Sequence, residues 1–126
     1  MNSASKDRKN RLLHSFGYAM SGIKKAFKQE KNLNIHLFVS IIVILMGLLL
    51  SISILEWLII LLAIGGMLSL EMINSSIERV VDLVTEDYHP LAKAAKDMAA
   101  GAVLIFAIIS VIIGLIIFLP KLALLI

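Results

Sequence analysis

Three apolar runs dominate this 126-residue chain: residues 35–54, 57–70 and 99–119. A helix needs roughly 20 apolar residues to cross a bilayer core about 30 Å thick. The first run is interrupted only by His36 and by serines, the second follows a single acid, Glu56, and the third carries no charge. The chain therefore reads as an all-α integral membrane protein with three transmembrane helices. The first two are joined by a very short hairpin around residues 51–56, with Trp57 as an interfacial anchor. Pro120 and Lys121 are expected to stop the third span.

Composition supports this reading. Hydrophobic residues make up 60% and charged residues 17%, against about 25% charged in soluble domains. The absence of cysteine excludes a disulfide scaffold and a Cys-ligated zinc site.

Placement of the basic residues predicts orientation. Eight precede the first span: Lys6, Arg8, Lys9, Arg11, Lys24, Lys25, Lys28 and Lys31. The first hairpin holds none, the second connection holds Arg79, Lys93 and Lys96, and the tail holds Lys121. A cytoplasmic N-terminus and second loop follow, in a cell membrane, with no cleavable signal peptide expected. Leu12, Phe16, Met20, Ile23 and Phe27 recur at helical spacing and predict an amphipathic helix lying in the membrane surface.

The polar residues that conflict with a membrane lie in the second helix. Glu71, Asn74, Glu78 and Asp82 stand at offsets of three, seven and eleven. At about 100° per residue they share one stripe. Acids at membrane depth are costly and mark function. Three of them exceed what Arg79, Lys93 and Lys96 are expected to neutralise, and carboxylates with an amide are hard ligands suited to Mg²⁺. Lys96 suits a phosphate, and Glu30 is placed to add a carboxylate. Ala99, Ala100, Gly101 and Ala102 suit close helix packing, as do Gly65 and Gly66. No phosphate loop, dinucleotide turn or nucleophile elbow is present, and His14, His36 and His89 form no ligand pair.

The run from Glu71 to Asp82 resembles the ExxNxxIExxxD signature of the prokaryotic diacylglycerol kinase family. The run from Ala95 to Val103 is similar to that family's second block, and Asp87, Tyr88, His89 and Pro90 fit the turn between them. Within the family the chain is most similar to the undecaprenol kinases of Gram-positive bacteria. The resemblance covers almost the whole chain. It implies one lipid kinase domain over residues 1–126: a surface segment at 1–31 and helices at 33–54, 57–84 and 91–119. It also implies a homotrimer, no nucleic-acid partner, and transfer of phosphate from ATP, with Mg²⁺, to a membrane lipid alcohol. Undecaprenol is the expected acceptor, with diacylglycerol as the alternative.

The site follows from the same resemblance. Glu71 matches the catalytic base, and Glu30 and Glu78 match Mg²⁺ ligands. Arg11, Tyr18, Asp87, Tyr88, His89, Lys96 and Asp97, with Glu30 and Glu78, match nucleotide positions. Glu71, Asn74 and Ala100 match the lipid side. Asp82 receives no role beyond structure or loop ordering. The rival reading from another class is a small oligomeric cation channel or transporter using the acidic stripe as an ion path. Against it, residues 41–50, 58–63 and 105–117 are almost wholly apolar.

Overall fold

The computed structural model describes residues 3–126, which form four helices: α1 (Ser3–Gln29), α2 (Lys31–Leu49), α3 (Ile54–Val84) and α4 (Pro90–Ala123). The chain divides into two compact units, Met1–Lys31 and Asn32–Ile126. In the first, α1 runs unbroken for 27 residues and leaves Leu12, Phe16, Met20 and Ile23 exposed.

In the second unit, α2, α3 and α4 are each long and apolar enough to cross a membrane. At 1.5 Å per residue the 31 residues of α3 span about 46 Å and the 34 of α4 about 51 Å. Both exceed a bilayer core by several turns. Glu71 lies 17 residues beyond Ile54, about 26 Å along α3, whereas Glu78 and Asp82 lie at about 36 and 42 Å. The stripe thus begins near one membrane boundary and runs out of it.

The α2–α3 connection is placed earlier in the chain than the expected helix bounds put it. Helix α2 ends at Leu49 rather than 54, and α3 begins at Ile54 rather than Trp57. Ser51 adopts a left-handed conformation at φ 51°, and Ile52 N donates to Gly47 O at 3.2 Å. This is the helix-ending pattern usually built on glycine. Ser53 then caps α3. Its Oγ accepts from Glu56 N at 3.2 Å, and Glu56 Oε2 accepts from Ser53 N at 2.7 Å. This reciprocal box satisfies two otherwise orphaned donors.

Helix α4 starts at Pro90, behind an N-cap His89 whose Nδ1 accepts from Leu91 N at 3.2 Å. Proline suits that first position because its missing N–H has no intrahelical partner there. The helix then passes through Pro120 and ends at Ala123, so Pro120 does not terminate it. Lys121 lies 3.2 Å from Glu56 and ties the end of α4 to the start of α3.

Helices α3 and α4 are the closely packed pair. Gly66 makes the approach possible, since a Cβ there would stand 2.3 Å from the Phe106 ring; Gly65 meets nothing. At the hairpin end, Ile52, Ile60, Ile117 and Phe118 form a buried cluster, with Trp57 packed against it. A Cβ at Gly47 would lie 2.8 Å from the Trp57 ring, so this tryptophan braces the hairpin. Between α2 and the α3–α4 pair lies a cavity of about 380 Å³, lined by all three helices from His36 to Gly114.

Candidate active site

The acidic stripe does not converge on one point. Among the described residues no three acidic or histidine side chains come together as a metal cluster. Each group on the stripe instead has its own partner. Glu71 is 5% exposed, the only buried charged residue among those described. Its Oε1 lies 3.2 Å from His36 Nε2 on α2. Asn74 Nδ2 donates to Glu78 Oε1 at 3.2 Å, one turn along α3. Asp82 Oδ1 accepts from Lys96 Nζ at 2.5 Å, joining α3 to α4.

Lys96 balances Asp82, one of the three acids, and the imidazole of His36 stands against Glu71. The middle of the stripe differs. Glu78 is exposed and is bonded to a neutral amide, and Asn74 Oδ1 is buried without a hydrogen-bond partner. A buried polar oxygen left unpaired costs about 1–3 kcal/mol. The exposed Glu78 carboxylate is a hard oxygen donor of the kind Mg²⁺ takes.

Other sequence-derived positions fall in different surroundings. Lys96 and Asp97 are neighbours, yet Lys96 reaches Asp82 on α3 while Asp97 pairs with Lys93 on its own helix. A step of about 100° per residue sends adjacent side chains apart. His89 serves as the α4 cap. Asp87 N donates to Thr85 Oγ1 at 3.1 Å in the preceding turn, and Tyr88 is 80% exposed. Ala100 is exposed and lies outside the lining of the cavity, whose α4 wall begins two turns deeper at Ala107. In the N-terminal unit Arg11 and Tyr18 are exposed on α1, and Glu30 follows that helix with its N–H donating to Ala26 O at 2.8 Å.

The residue that sequence reasoning missed is His36. Its signal was present. It is the one ionisable side chain in an apolar run, 15 residues before Ser51, and Glu71 lies 18 residues after Ser53. In an antiparallel hairpin that difference of three residues leaves the two within about 5 Å in height. Polar groups at membrane depth pair with one another. His36 also lines the cavity, whose other polar side chains are Ser40 and Ser110. His36 therefore touches both the buried acid and the apolar slot.

Such a site can take a proton from a hydroxyl whose attached chain remains in the membrane. Comparison with known proteins gives the same class of chemistry. The family profile described as prokaryotic diacylglycerol kinase matches residues 17–118. An undecaprenol kinase of Bacillus subtilis is 54% identical over 121 residues, covering 94% of this chain and 98% of that protein. A diacylglycerol kinase of a Synechocystis species is 44% identical over 112 residues, covering 88% of this chain and 64% of that protein. One of Helicobacter pylori (strain J99) is 37% identical over 95 residues, covering 75% and 74%. With the acidic motif, the following basic block and three membrane-length helices in place, the chain belongs to the prokaryotic diacylglycerol kinase family and is a lipid kinase.

Proposed function

We propose that the chain transfers the γ-phosphate of ATP to undecaprenol, with Glu71 as the base. The observation that carries the chemistry is Glu71, buried on α3 against His36, which forms part of the wall of an apolar slot. The choice of acceptor rests on the 54% identity to an undecaprenol kinase over nearly the whole of both chains. Diacylglycerol is the second acceptor to test, on the 44% identity to the Synechocystis protein.

The lipid chain lies in the slot between α2 and α3–α4, and its hydroxyl stands at Glu71. Seven residues of α2 separate His36 from Val43 along the wall, so the slot is about 10 Å deep. Its volume of about 380 Å³ falls within the range of small-molecule pockets, about 300–1,000 Å³. Glu71 takes the hydroxyl proton as the alcohol oxygen forms a bond to the γ-phosphorus. The bridging P–O bond then breaks and ADP leaves with its electron pair. Phosphoryl transfer is chiefly positioning and charge stabilisation. Lys96 supplies positive charge to the phosphates when it leaves Asp82. Glu78 and Glu30 are the proposed holders of Mg²⁺, Glu30 on the motif match alone. Mg²⁺ held there would offset the negative charge of the phosphates.

The remaining assignments belong to the same reading. Arg11, Tyr18, Asp87, Tyr88, His89 and Asp97 border the nucleotide, on motif match. Helix α1 lies on the membrane surface, supported by its exposed Leu12, Phe16, Met20 and Ile23. Residues 1–126 act as one kinase domain and assemble as a homotrimer, with the N-terminus and site on the cytoplasmic face of the cell membrane.

A paired assay tests the acceptor. Protein in vesicles receives Mg²⁺ and γ-labelled ATP, with undecaprenol in one sample and diacylglycerol in the other. Strong transfer to undecaprenol alone supports the proposal. Transfer to diacylglycerol alone moves the acceptor and leaves the base in place. Transfer to neither, from folded protein, overturns the proposal.

A further inference from the structure

We infer that His36 is a positioning residue that holds the Glu71 carboxylate in register with the lipid hydroxyl. This rests on Glu71 acting as the base. The two side chains meet across helices, His36 Nε2 on α2 and Glu71 Oε1 on α3, at 3.2 Å. Glu71 is buried, and an isolated buried carboxylate is strongly disfavoured unless a donor satisfies it. The His36 imidazole stands 3.2 Å from Oε1 and leaves Oε2 to accept the hydroxyl proton.

The location makes this more than a helix tie. His36 forms part of the cavity wall, while the slot beyond it is apolar apart from Ser40 and Ser110. Ser40, one turn along α2, donates its hydroxyl to the His36 carbonyl at 2.7 Å, so that hydroxyl is committed to the backbone. An amphiphilic alcohol entering the slot meets the imidazole, with the carboxylate against it, at one end, and the unpaired Ser110 hydroxyl on the α4 wall. A base must be held within hydrogen-bond reach of the proton it removes. A carboxylate on a lone χ-flexible stem loses that geometry when its partner is cut away.

The test is a double-mutant cycle on full-length protein in lipid vesicles, with undecaprenol as acceptor and γ-labelled ATP. His36→Ala is expected to lower kcat by about tenfold to a hundredfold, the range seen when the partner orienting a functional ligand is lost. KM for ATP is expected to stay unchanged. His36→Gln, whose amide also donates, restores part of the rate. In a Glu71→Gln background, His36→Ala costs nothing further, because a residue acting through another has no independent effect. The ¹⁵N NMR signal of His36 Nε2, assigned by its disappearance in His36→Gln, is expected to move in Glu71→Gln even where no turnover is left.

Full turnover in His36→Ala overturns the inference. So does an equal loss from His36→Ala in both backgrounds, or a His36 signal indifferent to Glu71→Gln. If Glu71→Gln itself retains normal turnover, the base assignment falls, and the inference with it, and that result is distinguishable because it appears in the single Glu71 variant.

Discussion

Glu78 accepts a hydrogen bond from the neutral Asn74 amide and also lies in the field of Lys96, whose ammonium pairs directly with Asp82. Asp82, one turn further on, is already held by Lys96. Glu78 is the proposed Mg²⁺ ligand on this stripe. Glu78→Ala is expected to raise the Mg²⁺ concentration needed for half-maximal turnover by tenfold or more, read from a magnesium titration at fixed ATP. An unchanged titration assigns Glu78 to structure. Asp82→Asn separates the lysine's two partners. Removing the carboxylate frees Lys96 for phosphate, so KM for ATP is expected to fall or hold steady rather than rise, measured by initial rates. A large rise would make the Asp82–Lys96 pair part of the nucleotide site as it stands.

At the scale of elements, the glycines of α3 are not equivalent. A side chain at Gly66 strikes the Phe106 ring, whereas one at Gly65 enters open space within the chain. Gly66→Val is expected to destabilise the α3–α4 pair by about 1–3 kcal/mol, the ordinary cost of overpacking. Gly65→Ala is expected to be neutral or mildly stabilising within a helix. Thermal unfolding in detergent, followed by circular dichroism, distinguishes them.

The same scale shows what was legible in sequence. The apolar runs located all three long helices, because membrane helices advertise length and polarity directly. The hairpin boundary was misplaced by several residues at both ends. Ser51 takes a conformation that glycine would have signalled, and the reciprocal Ser53–Glu56 cap draws α3 back to Ile54. The stripe on α3 was visible as helical spacing. Its partners were not, since His36–Glu71 and Asp82–Lys96 are contacts between helices that spacing within one helix does not encode.

Over the whole three-helix unit, buried side chains are found at both ends, with Leu33 near His36 and Ala99 near Lys96 at one and the Ile60–Phe118 cluster at the other. The buried cluster around Ile60 and Phe118 and the Glu56–Lys121 pair close the hairpin end. The acids, His36 and Lys96 lie at the other, with the slot between. Most large apolar side chains of α2, α3 and α4 face outward, as they do when lipid is the solvent.

The central claim is that Glu71 is the base in phosphate transfer to a lipid alcohol. It is tested most directly by comparing wild-type protein with Glu71→Gln, in vesicles containing undecaprenol, Mg²⁺ and γ-labelled ATP. The account predicts label in the lipid for wild type. For the variant it predicts a rate lower by about 10²–10⁴-fold, the range for removing a general base, with folding and ATP binding retained. Equal labelling by the two proteins would contradict it.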